Sequence, residues 1–262
     1  MNVRRDWRGP ASAAGAVVSI GVFDGVHLGH QAILAANLAR ARQLGATPTV
    51  VTFDGHPKQL LLGRAPRTLT SLGHRLELFA AAGIEQTVVL EFDAALRELS
   101  AERFAREVLI EGLGARAFVL GFDSKFGRDR RGTPELLRAL GLEVEVVGQV
   151  LVGQYAVSST AIREAVELGD LERARTMLGR PVSVLGEVVR GAALGRELGF
   201  PTANIDPHHE LEPPSGVYYG RLRIVAGPGG ERRADAERLW PAVANIGTRP
   251  TVSPGLPERQ RL

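Results

Sequence analysis

The sequence has no cysteine among its 262 residues, and this absence excludes two classes of protein. Without cysteine the chain can form neither a disulfide framework nor a zinc site built on thiolates, a composition typical of a reducing cytoplasm. No apolar run approaches the length of a membrane span, and the arginine-containing N-terminus lacks the continuous apolar segment of a secretory signal. We therefore expect a cytoplasmic protein with no membrane partner.

Lysine is also scarce, since Lys58 and Lys125 are the only two in the chain. Nearly all the positive charge comes from arginine, whose planar fork suits phosphate groups. The net charge is only +3, however, and the arginines are scattered among acidic residues without a dense basic run. This pattern favours a solvated surface over a nucleic-acid interface, so we expect small molecules as partners and leave the oligomeric state open.

The arrangement of apolar residues changes along the chain. Short β-branched runs alternate with helical patterns over the first two thirds, which predicts βαβ units in an α/β, doubly wound parallel sheet. The predicted strands cover residues 17–23, 48–53, 86–92, 116–122 and 143–150, and two short helices, Thr160–Leu168 and Leu171–Leu178, follow them. From Pro181 onward the runs are short and β-rich, which predicts a smaller antiparallel, barrel-like domain. We expect domains at 1–179 and 180–262.

The stretch GVFDGVHLGH (21–30) lies between a predicted strand and an amphipathic helix. Such a junction is a natural anion site, because the free N–H groups and the positive end of the helix dipole point outward. Gly25 and Gly29 let the backbone approach a phosphate closely. His27 and His30 could stabilise the charge that develops on a phosphate during transfer. The competing interpretation is a tight turn whose histidines only cap the helix and pack.

The sequence does not support a histidine zinc site or a glycine-rich Walker A loop. The two histidines lack the spacing and the glutamate of the H-E-x-x-H zinc motif, and no Walker A loop occurs in the chain. The segment SSTAIR does place Ser158, Ser159 and Thr160 at a predicted helix N-terminus, with Arg163 one turn later. We call residues 21–30 the histidine loop. This segment and the histidine loop together would form the two sides of a triphosphate-binding site, whereas the segment alone is typical of an ordinary helix cap.

Several blocks of sequence, taken together, carry a family resemblance. These blocks are GVFDGVHLGHQ (21–31), VVTFDGHP (50–57), VLGFDSKFG (119–127), VSSTAIREAVELGD (157–170), MLGRPVSVLGEVVRGAALGRELGFPTANI (177–205), SGVYYGRL (215–222) and ANIGTRPT (244–251). In this order the chain resembles the bacterial bifunctional riboflavin kinase/FAD synthetases, which belong to the H-x-G-H nucleotidyltransferase superfamily. The resemblance implies two activities: adenylylation of FMN by ATP to give FAD and pyrophosphate, and phosphorylation of riboflavin to FMN.

The resemblance also implies roles for residues of the first domain. His27 and His30 would contact the ATP phosphates and stabilise the transition state. The implied ATP-binding residues are Gly21, Phe23, Asp24, Gly29, Ser158, Ser159, Thr160 and Arg163, and the implied FMN-binding residues are Phe53, His56, Asp123 and Phe126. The chain departs from the family at Ser124, where an aromatic residue is usual, and at Gly55, which replaces the first proline of a P-H-P sequence.

For the second domain, the resemblance implies a glycine-rich loop containing Gly195 and Mg–ATP ligands at Thr202 and Asn204. Oxygen donors of this kind suit Mg²⁺. After NIGTRPT the family continues with strands that carry a glutamate base, whereas here Glu258 is the only carboxylate left, in a tail rich in proline and arginine. We therefore expect a truncated, impaired kinase domain beside an intact adenylyltransferase.

Two alternatives remain at this point. The chain could be another H-x-G-H nucleotidyltransferase that acts on a different phosphate. It could also be a non-catalytic protein that binds flavin or nucleotide and retains only the fold.

Overall fold

A computed structural model describes residues 1–9, 11–55, 67–190, 202–227 and 230–247. Its main sheet is built from six strands: β1 (Asn2–Arg4), β2 (Ala16–Ile20), β3 (Thr47–Phe53), β4 (Gln86–Leu90), β5 (Ala115–Gly121) and β6 (Glu143–Val147). The order across the sheet is β1-β4-β3-β2-β5-β6, and every neighbouring pair is parallel. The predicted parallel α/β sheet is confirmed. The edge strand β1 was not predicted, because three residues carry no periodic signal.

Helices connect these strands and follow them. They are α1 (Leu28–Leu44), α2 (Leu72–Ala81), α3 (Ala94–Glu98), α4 (Ala101–Arg103) continuing as a π-helix (Phe104–Gly112), a 3₁₀ turn (Arg128–Arg130), α5 (Pro134–Ala139), α6 (Ser159–Glu167) and α7 (Leu171–Leu178). Helix α1 begins two residues earlier than its apolar pattern indicates, because the side chain of His27 caps it by accepting a hydrogen bond from the His30 N–H.

Both faces of the sheet are buried, as a parallel sheet requires. On one face Phe118 and Leu120 of β5 pack against the π-helix and α5, in a cluster that also contains Leu137. On the opposite face Val17 and Val119 pack against α1. Because side chains alternate between the two faces along each strand, the sheet contributes to two separate hydrophobic layers.

The chain reverses its direction across the sheet at β2. From β2 it proceeds through β3 to β4 on one side, and it then returns to place β5 on the other side of β2. In open α/β sheets a ligand crevice forms at such a switch point, beyond the carboxyl ends of the strands. The loop that follows β2 is the histidine loop, so the fold places it at this crevice.

The rest of the chain forms small antiparallel pairs. A short hairpin joins β7 (Leu151–Val152) to β8 (Tyr155–Ala156), β9 (Glu187–Val189) pairs with β10 (Asn204–Asp206), and β11 (Gly216–Leu222) pairs with β12 (Trp240–Ile246). The antiparallel character predicted after Pro181 is confirmed. We call the residues up to Leu178 the sheet region and those from Arg180 onward the β-rich region. Within the described ranges, no helix combines the length and apolar character that a membrane span needs.

Candidate active site

The loop after β2 has a strained backbone. Phe23 has φ 54° and Val26 has φ 39°, and Gly25 between them has φ 83°. A positive φ is uncommon for any residue with a Cβ and is a strong outlier for a β-branched one such as Val26. Strain of this kind costs about 1–3 kcal/mol per residue and persists only where the surroundings hold it in place.

Hydrogen bonds from distant parts of the chain hold this loop. The Gly25 N–H donates to Thr70 Oγ1 (2.8 Å), and the Val26 carbonyl accepts from Gln31 Nε2 (2.9 Å). The carbonyl of Asp24 accepts from Ser159 Oγ at the start of α6 (2.9 Å). Glycine suits position 25 because its φ is 83° and because a Cβ there would lie 2.7 Å from Leu69 Cδ1, which would have to move. The strained conformation is therefore enforced from three separate elements.

The carboxylate of Asp24 is the centre of this arrangement and is only 3% exposed. Its Oδ1 accepts from the N–H groups of Leu69 (2.9 Å) and Thr70 (3.0 Å), and its Oδ2 pairs with Arg163 (2.9 Å). A buried carboxylate is tolerated when it is paired and hydrogen-bonded in this way. Asp24 therefore organises the loop, and both oxygens of its carboxylate are bound by the chain's own donors.

His27 and His30 face one another across the start of α1. Their rings stack with centroids 3.6 Å apart at 16°, and Phe23 packs its ring edge-on against His30 at 5.1 Å. A Cβ at Gly29 would lie 3.2 Å from two atoms of the His27 ring, so the absence of a side chain at position 29 makes room for this ring. His30 Nδ1 is buried without a hydrogen-bond partner among the described residues, which leaves a ring nitrogen for an incoming group.

Both imidazoles are neutral at pH 7. Burial lowers the pKa of His27 to about 4; the carboxylate of Asp24 opposes this shift and the charge of Arg180 adds to it. Burial, followed by the charges of His27 and Arg75, holds the pKa of His30 well below its ordinary value. Because His27 Nδ1 accepts the His30 N–H at 3.3 Å, the proton of neutral His27 is on Nε2.

Arg75, on α2, is a buried cation beside the histidines that the sequence analysis missed. Its guanidinium donates to the carbonyl of Val22 (2.6 Å), to Thr52 Oγ1 (2.9 Å) and to the carbonyl of Phe53 (2.9 Å). Burial lowers the pKa of Arg75 from its usual range, against the raising effect of the nearby carboxylates. The group stays charged at neutral pH. No motif in the sequence marks this arginine, because its acceptors lie in other elements of the fold.

The segment SSTAIR does lie against the histidine loop. Ser158 caps α6 by accepting from the Ala161 N–H (3.2 Å), and Ser159 and Arg163 are bonded to Asp24. Three of the four side chains expected to bind ATP are therefore engaged with the chain itself. Thr160 is exposed, and its hydroxyl and the first-turn N–H groups of α6 are what this helix offers a ligand.

The residues expected to bind FMN separate into two groups. Phe53 ends β3 and packs edge-on against Phe92 at 5.7 Å, and Asp123 is exposed in the turn after β5, at the crevice edge. Phe126 is only 6% exposed and packs on Phe104 in the core, which gives it a packing role in this structure. His56 lies outside the described residues.

The expected kinase residues lie in the β-rich region. Thr202 is exposed, and Asn204 begins β10 opposite Val189. Gly195 lies outside the described residues. Within the described residues, no group of three or more histidine or acidic side chains could hold a metal ion.

The fold and this site define an α/β nucleotidyltransferase of the H-x-G-H type that is followed by a smaller β module. Comparisons with known proteins agree with this class: the family model described as FAD synthetase matches residues 9–161, and the one described as riboflavin kinase matches residues 178–258. The chain belongs to the bifunctional riboflavin kinase/FMN adenylyltransferase family.

Curated relatives and a solved structure resemble most of the chain. A bifunctional riboflavin kinase/FMN adenylyltransferase of Pseudomonas fluorescens is 37% identical over 243 residues, 91% of this chain and 75% of the relative. One of Haemophilus influenzae is 35% identical over 244 residues, 91% and 76% of the two chains. A crystal structure described as a macrolide-efflux protein of Streptococcus pneumoniae superposes with a TM-score of 0.77 at 28% identity, covering 95% of this chain and 79% of that one.

Proposed function

We propose that the histidine loop is the site at which the adenylyl group of ATP is transferred to FMN. The observation that carries this proposal is the pair of stacked, neutral imidazoles at a helix N-terminus, held at the switch point of the sheet. An oxygen of the FMN phosphate attacks the α-phosphorus of ATP. The bond from that phosphorus to the bridging oxygen breaks, and pyrophosphate leaves as FAD forms.

The chain's contribution to this reaction is positioning and electrostatics. The free N–H groups at the start of α1 face the phosphates with the positive end of the helix dipole behind them. His27 donates its Nε2–H to a phosphate oxygen, and this hydrogen bond strengthens as negative charge develops on the oxygen. Arg75, fixed by three acceptors, supplies a positive charge that needs no rearrangement during the reaction.

The other side of the crevice completes the binding site. Thr160 and the N-terminus of α6 contact the phosphates opposite α1, and Phe53 and Asp123 contact the flavin side. Ser158, Ser159 and Arg163 act indirectly, by holding α6 and Asp24 in register. We further propose a domain boundary near Gly179, where α7 ends with a left-handed residue (φ 70°).

The β-rich region would phosphorylate riboflavin, with Mg–ATP bound at Thr202 and Asn204. Their side chains offer neutral oxygen donors two residues apart, a set that fits Mg²⁺, which takes few protein ligands and keeps several waters. When bound, the ion would supply positive charge that offsets the negative charge of the ATP phosphates. The expectation that this kinase is impaired concerns residues beyond 247, outside the described part of the chain, and stays a prediction.

A chromatographic assay tests the adenylyl transfer. The protein is incubated with Mg–ATP and either FMN or riboflavin, and FAD, FMN and pyrophosphate are measured. We expect FAD from FMN, its loss in His30→Ala, and its retention in the control His209→Asn, which changes an exposed histidine of the β-rich region. Unchanged FAD formation in His30→Ala contradicts the proposed role of the loop.

The same assay separates the alternatives. Pyrophosphate release with another phosphate acceptor, but none with FMN, would favour a different nucleotidyltransferase. Saturable binding of FMN or ATP without any turnover would favour a non-catalytic binding protein. Removal of divalent cations with EDTA should stop FAD formation from FMN, and Mg²⁺ should restore it.

A further inference from the structure

We infer that Arg180 and Glu210, both in the β-rich region, position the histidine loop, so that adenylyl transfer depends on residues outside the sheet region. This inference rests on the proposed function of that loop. Both residues are positioning residues, because each acts through the loop backbone or through a segment bound to it.

Arg180 binds directly to the strained part of the loop. Its guanidinium donates to the carbonyl of Gly25 (2.8 Å), to that of Val26 (3.1 Å) and to that of Leu178 (3.4 Å). The amide of Gln31 donates to two of the same acceptors, Val26 (2.9 Å) and Leu178 (2.8 Å). The end of α7 and the loop are therefore tied together twice, once from α1 and once from the first residue of the β-rich region.

The environment and the planar guanidinium of Arg180 indicate that this side chain serves to hold backbone carbonyls in place. Burial lowers its pKa to about 10, so the environment disfavours the charge that the side chain carries. A planar guanidinium can hold two adjacent carbonyls at once, whereas an ammonium group presents a single point of charge. Gly25 and Val26 have positive φ values, which orient their carbonyl groups in an unusual way. The guanidinium of Arg180 donates to both carbonyls in this orientation.

Glu210 reaches the loop through one intermediate segment. Its carboxylate is fully buried and accepts from the Ser71 N–H (2.6 Å), from His74 Nδ1 (3.1 Å) and from the Leu185 N–H (2.9 Å). Hydrogen bonds to His74 and Ser71 hold the pKa of Glu210 below its usual range, although burial alone would raise it. A carboxylate of the β-rich region is therefore stabilised mainly by donors of the sheet region.

The segment Thr68–Ser71 connects Glu210 to Asp24. At its ends the Thr68 carbonyl accepts from the Leu211 N–H (2.7 Å), and the Ser71 N–H donates to Glu210. Between those ends, the N–H groups at 69 and 70 bind the Asp24 carboxylate, and Thr70 Oγ1 accepts from the Gly25 N–H. The donors at 69 to 71 are thus shared between the loop on one side and the β-rich region on the other.

An exposed contact between the same regions provides the matched control. Arg232 of the β-rich region pairs with Glu77 on α2 at 2.9 Å, with about half of the arginine side chain exposed. No hydrogen bond among the described residues leads from this pair to the histidine loop. If contacts between the regions only hold them together, variants at Arg232 and at Arg180 should affect catalysis alike.

The test compares Arg180→Ala, Arg180→Lys, Glu210→Gln and Arg232→Gln in the full chain. We measure kcat for FAD formation, KM for FMN and the unfolding midpoint of each variant. We expect kcat to fall at least about tenfold in Arg180→Ala and Glu210→Gln, with KM for FMN within about twofold of the parent, because a misplaced reacting group lowers the rate of the chemical step. Arg232→Gln should stay within about twofold in both constants.

Chemical rescue separates positioning from loss of stability. Guanidinium ion at millimolar concentration should raise the kcat of Arg180→Ala and leave that of Glu210→Gln unchanged. Arg180→Lys should fall between the parent and the alanine variant, because one ammonium replaces a two-pronged donor. If Glu210→Gln does not fold, Glu210→Asp replaces it, with the carboxylate withdrawn by one methylene.

A readout without turnover keeps this inference separate from the proposed function. The ring-proton signals of His27 and His30 are followed by NMR as the pH is changed, in the parent and in each variant. Arg180→Ala should raise the pKa of His27, and Glu210→Gln should shift both ring signals because the stack moves, while Arg232→Gln leaves them in place. A parent that makes no FAD refutes the proposed function alone. Unmoved signals and a kcat within twofold in folded Arg180→Ala and Glu210→Gln refute the positioning roles.

Discussion

The imidazole rings of His27 and His30 stack face to face, with centroids 3.6 Å apart and 16° between their planes. Two cationic rings at this separation would repel each other strongly, and both are already buried. The pair is therefore neutral before substrate arrives. The neutral state of the buried pair leads to the first prediction.

Stability should fall as the pH is lowered from 6.5 towards 4. The pKa of His27 is about 4 in the folded chain and 6.5 in the unfolded chain, so the unfolded chain binds more protons in this window. Keeping His27 neutral costs nothing above pH 6.5. As the pH falls towards 4, the pKa of His27 in the folded chain, the free energy of unfolding decreases by about 3 kcal/mol. Urea unfolding of the parent and of His27→Gln at several pH values measures it.

The variant His27→Gln should show a shallower dependence of unfolding free energy on pH over that window. The control His209→Asn, at an exposed site, should follow the parent. Equal slopes in the parent and in His27→Gln would contradict the buried, neutral state of His27. Carboxylates with lowered pKa values begin to lose their contribution near their unfolded pKa of 4.5, at the lower end of this window. They are present in both proteins, so the difference between the two slopes reports His27.

Asp24→Asn should lower both stability and FAD formation. An amide can satisfy the N–H groups of Leu69 and Thr70 with its oxygen, but its NH₂ group then faces the guanidinium of Arg163 without an acceptor. Breaking a buried pair from one side costs about 3–5 kcal/mol. Thermal unfolding and kcat are the measurements, and the control is Arg175→Gln in an exposed pair on α7, which should leave both quantities close to those of the parent.

Gly25→Ala should be far more damaging than Gly45→Ala, although both glycines have a positive φ. At Gly45, the residue after α1, a Cβ meets nothing within 4 Å, so only the conformational cost of about 1–2 kcal/mol applies. At Gly25 the Cβ would also lie 2.7 Å from Leu69 Cδ1, beside the segment that holds Asp24. We expect Gly25→Ala alone to lose FAD formation, and equal losses of stability in the two variants would refute the contact with Leu69.

Arg75→Lys should destabilise the chain and slow adenylyl transfer. A lysine keeps the charge but cannot reach the carbonyls of Val22 and Phe53 together, so buried acceptors lose their donors at about 1–3 kcal/mol each. The matched control is Arg116→Lys, because Arg116 also donates to two carbonyls but lies on the surface. A loss of kcat equal in both variants would show that the cation beside His30 has no special role.

Several features of the fold follow from local pattern. Strands β2 to β5 are mostly apolar or β-branched runs, whereas β6 alternates glutamate with valine. The alternation of these strands with helices predicts a parallel sheet whatever the partners. The ends of the helices and strands were predicted less accurately than their existence. Helix α1, for example, begins at Leu28 because His27 caps it. The strand β1 exists only through its pairing with β4, which nothing within its three residues specifies.

The sequence by itself determined the class of sheet, the place of the histidine loop after a strand, and the family to which the chain belongs. Each of these depends on residues that are close together along the chain or on motifs read in order. Only the tertiary structure decided that Ser159 and Arg163 both bind Asp24, that Phe126 is core, and that Arg75 lies beside the histidines.

The same is true of Arg180 and Glu210, whose hydrogen bonds to Gly25 and Ser71 span 155 and 139 positions of the chain. Hydrogen bonds over such separations form only when the sheet and both regions have folded, because no local propensity brings their donors and acceptors together. The strained loop is the clearest case. Phe23 and Val26 favour other backbone conformations, and donors from distant parts of the chain hold them at positive φ.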